Sequence, residues 1–258
     1  MHMRLVQVEV RGGLIDRLRE LYAERIVPAL EAVDGCRYAG LMQSVHHPEH
    51  CISLTLWDNQ DKAGAYERGG LYRQLLEESK PYLSDASEYT IRLSEDLKLE
   101  YVNLQPEPVV KTYPVAVQDE IHDTETRKPA AMWIRIVSLK ILPGKLDEFK
   151  RLHAEQVIPK LRNVPGCRYA YLLESEDRSH ELIAVTSWDS REDAENSMRL
   201  GVFDEILELE KSTLSNLYQW KMNLGKAKGS LASTSEDVLV EDYTILTGKD
   251  FFPVGSKD

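Results

Sequence analysis

The chain contains itself twice. Residues 24–41 read ERIVPALEAVDGCRYAGL and residues 155–172 read EQVIPKLRNVPGCRYAYL, and a shift of 131 positions superposes them without a gap. The same shift lays LTLWD (54–58) on VTSWD (185–189), and 29 residues are identical over positions 4–84, about a third of them. Two copies are too few for a solenoid, whose repeats are short and numerous. A length of 258 residues, which alone suits one large domain or two small ones, therefore reads as one module written twice. Each copy is long enough to bury a core.

Both copies predict the same order of elements. A strand rich in β-branched residues runs through 3–10 and again through 132–141. A helix follows, with Leu18, Tyr22, Ile26, Leu30 and Val33 spaced to share one face; Phe149, His153, Val157, Leu161 and Val164 repeat the stripe. Pro28 and Pro159 fall inside that helix and predict a kink. Gly35 and Gly166 predict its left-handed end. Two strands come next, 36–44 with 51–57 and 167–175 with 181–188, joined by the polar turns HHPEH and EDRSH. After each Trp-Asp pair a second helix opens, capped by the aspartate or by the Asn59 or Ser190 that follows it. Its stripe is Leu71, Leu75 and Leu83, then Val202, Ile206 and Leu214. Last strands are expected near 87–93 and 217–224.

This βαββαβ order is the ferredoxin-like plan of the α+β class, with both helices on one sheet face. A single copy leaves its other sheet face bare. The two repeats are therefore expected to pack sheet to sheet as an intramolecular α+β barrel, a pseudo-dimer with its helices outside. The expected division is a first repeat at 1–104, a linker at 105–131 rich in prolines and acids, and a second repeat at 132–258 with a C-terminal strand extension. LKLEYVNL (97–104) and VLVEDYTIL (238–246) are expected as added strands that cross to the other half.

Composition narrows the partners. A net charge of -11 argues against a protein that holds phosphate backbones. No apolar run reaches the roughly 18 to 20 residues of a membrane span, and MHMRLVQVEV has no secretory character, so a cytoplasmic protein is expected. Cys36, Cys51 and Cys167 form no CxxC pair, so neither a disulfide framework nor a zinc knuckle is expected.

The P-x-L-x-x-V-x-G-C-R-Y-A pattern closing the first helix, and the strand ending in Trp-Asp before the second, resemble the antibiotic biosynthesis monooxygenase family of dimeric α+β barrels. The resemblance covers about 90 residues in each copy, some 70% of the chain. It implies a cofactor-independent monooxygenase that acts on a small aromatic or quinol compound and O2 in a cleft between sheet and helices. Such chemistry needs a base, a group that holds the resulting anion, and a dry pocket. The family also holds haem-degrading members, marked by an Asn on the first strand and an iron-binding His on the second helix. Here the first strands offer Gln7 and Ser138, and 59–84 and 190–216 contain no His. A non-catalytic ligand-binding or stress-related module is the alternative.

Eight positions follow from the resemblance and the stripes. Trp57 and Trp188 match the family's cleft tryptophan; strand alternation puts them with Ser53 and Thr55, and with Ala184 and Thr186, which suits either a pocket wall or core packing. Tyr22 and His153 share one place on the buried stripe, where a polar tip needs a partner, and the imidazole is the better base. Arg37 and Arg168 are candidates to hold an anionic oxygen, or surface charges. Tyr72 and Phe203, equivalent on the second helix, are candidates for substrate contact. The cysteines read as small buried residues. The cluster His46-His47-Pro48-Glu49-His50-Cys51 has metal-type ligands in an exposed turn that its counterpart Asp177-Arg178-Ser179-His180 lacks, and no metal site is expected.

Overall fold

The computed structural model of the chain describes residues 1–84, 89–93, 99–103, 109–120, 132–174, 181–219, 222 and 238–251. Strand β1 (His2–Glu9) leads into a helix in three parts: α1 (Ile15–Leu21), a π-helical segment Tyr22–Ile26, and α2 (Val27–Glu31). The predicted stripe is its inner face, with Leu18, Tyr22, Ile26 and Leu30 all buried. The kink expected at the proline takes the form of a π-turn. Pro28 has no N–H to offer the carbonyl four residues back; the Val27 N–H instead bonds the Tyr22 carbonyl, five residues back. The wider turn absorbs the missing donor without breaking the helix. The second half repeats this with α5 (Leu146–Leu152), His153–Val157 and α6 (Ile158–Arg162). Tyr22 and His153 thus open the π-segments at matching places.

Gly35 and Gly166 stand at φ +83 and +79, the left-handed conformation expected after the helix. Strands β2 (Cys36–Ser44) and β3 (His50–Trp57) follow, and β8 (Cys167–Glu174) and β9 (Glu181–Trp188) in the other half. The Asn59 side chain accepts from the Lys62 N–H at 3.0 Å and Ser190 from that of Asp193 at 3.1 Å, capping the next helices. Each expected second helix is two: α3 (Gln60–Arg68) and α4 (Gly70–Ser79), then α7 (Arg191–Arg199) and α8 (Val202–Glu210). The breaks fall at Gly69, which is extended, and at Gly201, whose φ is +75. A residue without Cβ makes both turns cheap.

Strands β7 (Trp133–Lys140), β6 (Val109–Glu120) and β10 (Val238–Asp250) complete a closed eight-stranded barrel in the order β1-β3-β2-β10-β7-β9-β8-β6. The halves are stitched by two shared strands. Residues 109–114 of β6 pair with β1 and its later residues with β8; β10 pairs first with β7 and then with β2. Met3, Leu5 and Leu56 from one half meet Ile134, Ile136 and Val185 from the other inside the barrel. Each such side chain contributes about 1.5–3 kcal/mol by leaving water. Helices pack outside, on the face that carries Arg4, Val6 and Val8.

Three expectations are corrected. The segment 105–131 holds a barrel strand where a linker was read; Pro114 is tolerated because it sits where β6 changes partner from β1 to β8. LKLEYVNL supplies β5 (Leu99–Asn103), which does not cross over; it pairs with β4 (Tyr89–Leu93) in a separate two-stranded sheet. The last strand expected at 217–224 is helical at 216–219. Single bridges, Val10 to Leu83 and Ile141 to Leu214, stand where a fourth local strand would close each ferredoxin-like unit. The turn EDRSH and residues 121–131 lie outside the described residues. VLVEDYTIL does cross, as β10.

Candidate functional site

A cavity lies between sheet and helices in each half, and the two differ in chemistry. The one in the second half, about 60 Å³, brings together the predicted His153, Trp188 and Phe203 with Arg135 and Glu210. His153 comes from the start of the π-segment and Glu210 from the last turn of α8. His153 Nδ1 meets Glu210 Oε1 at 2.8 Å, and both side chains are almost fully buried. Burial pushes the Glu210 carboxyl up, and the contact with His153 draws it partly back. With Nδ1 engaged, Nε2 is the nitrogen left for a cavity occupant. Phe149 stacks on the imidazole at 5.8 Å and fixes its plane. The Trp188 indole N–H donates to Thr186 at 3.0 Å, so the ring presents its apolar surface to the cavity.

Arg135 on β7 is 6% exposed and fully engaged. Its Nε and Nη2 donate to the two carboxylate oxygens of Asp242 on β10, at 2.8 and 3.0 Å, and Nη1 donates to the Ala194 carbonyl at 3.1 Å. The pair lies directly across the ladder, since Asp242 is the register partner of Arg135.

The cavity of the first half, about 50 Å³, holds Arg4, Tyr22, Tyr66 and Tyr72 with Ser53 and Thr55. Tyr22 shares a hydrogen bond with Ser53, and desolvation pushes its hydroxyl up to about 12. Ser79, where the other half has Glu210, turns its hydroxyl back to the Leu75 carbonyl at 2.8 Å. Trp57 stands one layer behind: it stacks on Tyr66 at 5.1 Å, and its N–H donates to Thr55 at 2.9 Å. Arg4, equivalent to Arg135 and 2% exposed, lies over Tyr72 at 4.4 Å. Its Nε and Nη2 meet no hydrogen-bond acceptor among the described residues. A third cavity, about 80 Å³, lies inside the barrel and is lined mainly by apolar side chains, with Tyr38, Tyr169, Tyr171, Ser187 and Asp250.

Arg37 and Arg168 line none of these cavities. Each falls where β2 or β8 shifts register, which turns it outward to the aspartate after the tryptophan: Arg37 to both oxygens of Asp58, Arg168 to one oxygen of Asp189. The three cysteines are buried free thiols raised to about 12 by desolvation, unsuited to nucleophilic work. His47 and His50 stack on each other in the exposed turn, and no group of three metal-type ligands occurs among the described residues. Sequence reading missed Arg4, Arg135, Glu210 and Asp242. The signal for the arginines was available, because alternation along β1 places Arg4 beside Val6 and Val8 on the helix side and the repeat keeps it at Arg135.

No curated protein matches the chain in sequence. Among solved structures, a protein of Lactobacillus acidophilus NCFM provisionally assigned as a monooxygenase superposes with a TM-score of 0.64 at 10% identity, over 97% of this chain and 96% of that one. A second such protein, from Fusobacterium nucleatum, gives 0.67 at 7% over 96% and 94%, and an anthrone oxidase-like protein gives 0.54 at 12% over 100% and 96%. At these identities the likeness is one of fold. The model of the family described as antibiotic biosynthesis monooxygenase matches residues 1–78 and again residues 132–209, the two halves of the barrel. The chain belongs to the antibiotic biosynthesis monooxygenase family and carries that family's domain twice.

Proposed function

We propose that the protein is a cofactor-independent monooxygenase for a small aromatic or quinol-type compound, and that its reaction runs in the cavity of the second half. The observation that carries this reading is the buried His153–Glu210 pair at the wall of a largely apolar cavity beside Trp188. Glu210 holds the ring through Nδ1, which leaves Nε2 to act as the base. His153 takes a proton from an activated methylene of the substrate, and the carbanion passes one electron to O2. Radical and superoxide join in a C–O bond, and the proton returns from His153 to give a hydroperoxide. Loss of water across that carbon leaves a carbonyl. One CH2 group and one O2 give one C=O and one H2O. The apolar wall keeps solvent from quenching the carbanion.

Oxygen uptake by the purified chain tests the proposal, with anthrone and 1,4-naphthohydroquinone as substrates and a chelator but no flavin present. His153→Gln is expected to lower kcat by about 10²–10⁴-fold, while Tyr22→Phe in the other half leaves it within about twofold. No enzyme-dependent uptake by the wild type with either compound, or an unchanged His153→Gln rate, would overturn it.

A further inference from the structure

The first half buries a cation that no carboxylate among the described residues reaches by hydrogen bond. Arg135 is neutralised through its Nε–Nη2 edge by the carboxylate directly opposite on the neighbouring strand. On Arg4 the same two atoms, Nε and Nη2, lack a hydrogen-bond acceptor among the described residues. The register explains the difference: the residue opposite Arg4 on β6 is Thr112, which carries no charge, where Arg135 faces Asp242. Among the described residues the ion-pair partner of Arg4 is Glu67, 3.8 Å away, beyond hydrogen-bond distance and 43% exposed. A guanidinium at 2% exposure with its fork open is a demand for a bidentate oxyanion.

The surroundings say what else that anion carries. Tyr72 lies under the Arg4 guanidinium, Tyr66 packs edge-on against Tyr72 at 5.6 Å, and Trp57 backs Tyr66. Val6, Ile26 and Leu30 complete an apolar wall. The hydroxyls of Tyr22, Ser53, Thr55 and Ser79 that also line it are engaged with one another, with the Trp57 N–H or with the Leu75 carbonyl, so a planar ring would be held among the aromatic side chains and its carboxylate on the arginine. We propose that the cavity of the first half is a binding site for a single-ring aromatic carboxylate, whose carboxylate takes the role that Asp242 plays in the second half. The site is separate from the His153 cavity and does not depend on the oxygen chemistry proposed there.

Benzoate is the probe, titrated into the intact chain by calorimetry. Saturable one-site binding is expected, with benzamide, its uncharged counterpart, at least tenfold weaker. Thr112→Asp places a carboxylate opposite Arg4, as Asp242 stands opposite Arg135, and is expected to weaken benzoate at least tenfold; Arg4→Met is expected to do the same. Neither change touches His153, so oxygen uptake separates failure of this site from failure of the other. Absence of saturable benzoate binding, equal affinity for benzamide, or binding unchanged in both variants would overturn the proposal. Should either variant fail to fold, the arginine Nε–H signals of the wild type decide. One of them shifting on benzoate addition supports the site, and none shifting refutes it.

Discussion

The two halves share a backbone plan and differ in where they keep their acids. In the second, two buried basic groups each have a carboxylate of their own: Asp242 for Arg135 and Glu210 for His153. In the first, the matching positions are Thr112 and Ser79, and the two basic groups are matched by an arginine with an open fork and by a tyrosine, which is no base. The shift of 131 joins Ser79 to Glu210, whereas Thr112 and Asp242 correspond through the strand register. Duplication thus leaves one half with each buried basic group hydrogen-bonded to a carboxylate, the other with a buried arginine whose carboxylate stands beyond hydrogen-bond distance. An identical scaffold holds two unlike cavities because a few side chains decide the local charge balance.

Stability measurements offer the largest test of that contrast. Arg135→Met strands Asp242, and Asp242→Ala strands Arg135; each is expected to cost about 3–5 kcal/mol, the usual loss when one member of a buried pair is removed. Arg4→Met strands no carboxylate by hydrogen bond, so it is expected to be neutral or stabilising in the absence of ligand. Urea unfolding of the three variants checks this. A cost for Arg4→Met equal to that for Arg135→Met would mean that the two arginines are paired alike, and the comparison would fail.

Much of the scaffold was legible because it rests on local rules. The repeat, the helix stripes, the left-handed glycines and the Asn59 and Ser190 caps are all set by residues within a few positions of one another. Tyr22 and His153 reach their cavities because the stripe gives the buried face, and Trp188 because strand alternation does; Tyr72 and Phe203, one position past the stripe residues Leu71 and Val202, reach theirs as well. What resisted reading was long-range. Glu210 meets His153 across 57 residues and Asp242 meets Arg135 across 107, so neither pairing follows from any local period. The strand Val109–Glu120 was obscured because prolines and acids signal coil, while a barrel needs a strand there to join its halves. Arg37 and Arg168 were misleading for a local reason as well: a register shift rotates them out of the alternation that strand reading assumes.

The acid beside His153 supplies a second, intermediate test. Burial raises the Glu210 carboxyl in the folded chain, so folding favours its protonated form. That contribution is complete below the ordinary carboxylate range and is lost as pH rises through the raised value. Glu210→Gln removes the titration and should flatten the fall in Tm over that window, a window to which Ser79 in the other half adds nothing. Parallel Tm–pH curves for wild type and variant would show that the carboxyl is not perturbed.

The smallest effect is expected outside both cavities, where the halves again differ in degree. Arg37 donates two hydrogen bonds to Asp58, and Arg168 donates through Nε to Asp189. Arg37 and Asp58 are each about one-third exposed, so water and salt screen the pair. Arg37→Met is expected to cost less than about 1 kcal/mol, and Arg168→Met less still. Arg37 holds the Asp58 carboxyl below its usual range, chiefly by hydrogen bonding. The stabilisation is therefore present above the unfolded value and fades as pH falls through the folded one. Urea unfolding of Arg37→Met at neutral and acid pH should show the difference from wild type shrinking on acidification, and shrinking also in 1 M salt as the screening length falls to about 3 Å. Persistence of the full difference under both conditions would mean that the guanidinium acts by packing its methylenes, and that the ion pair contributes nothing of its own.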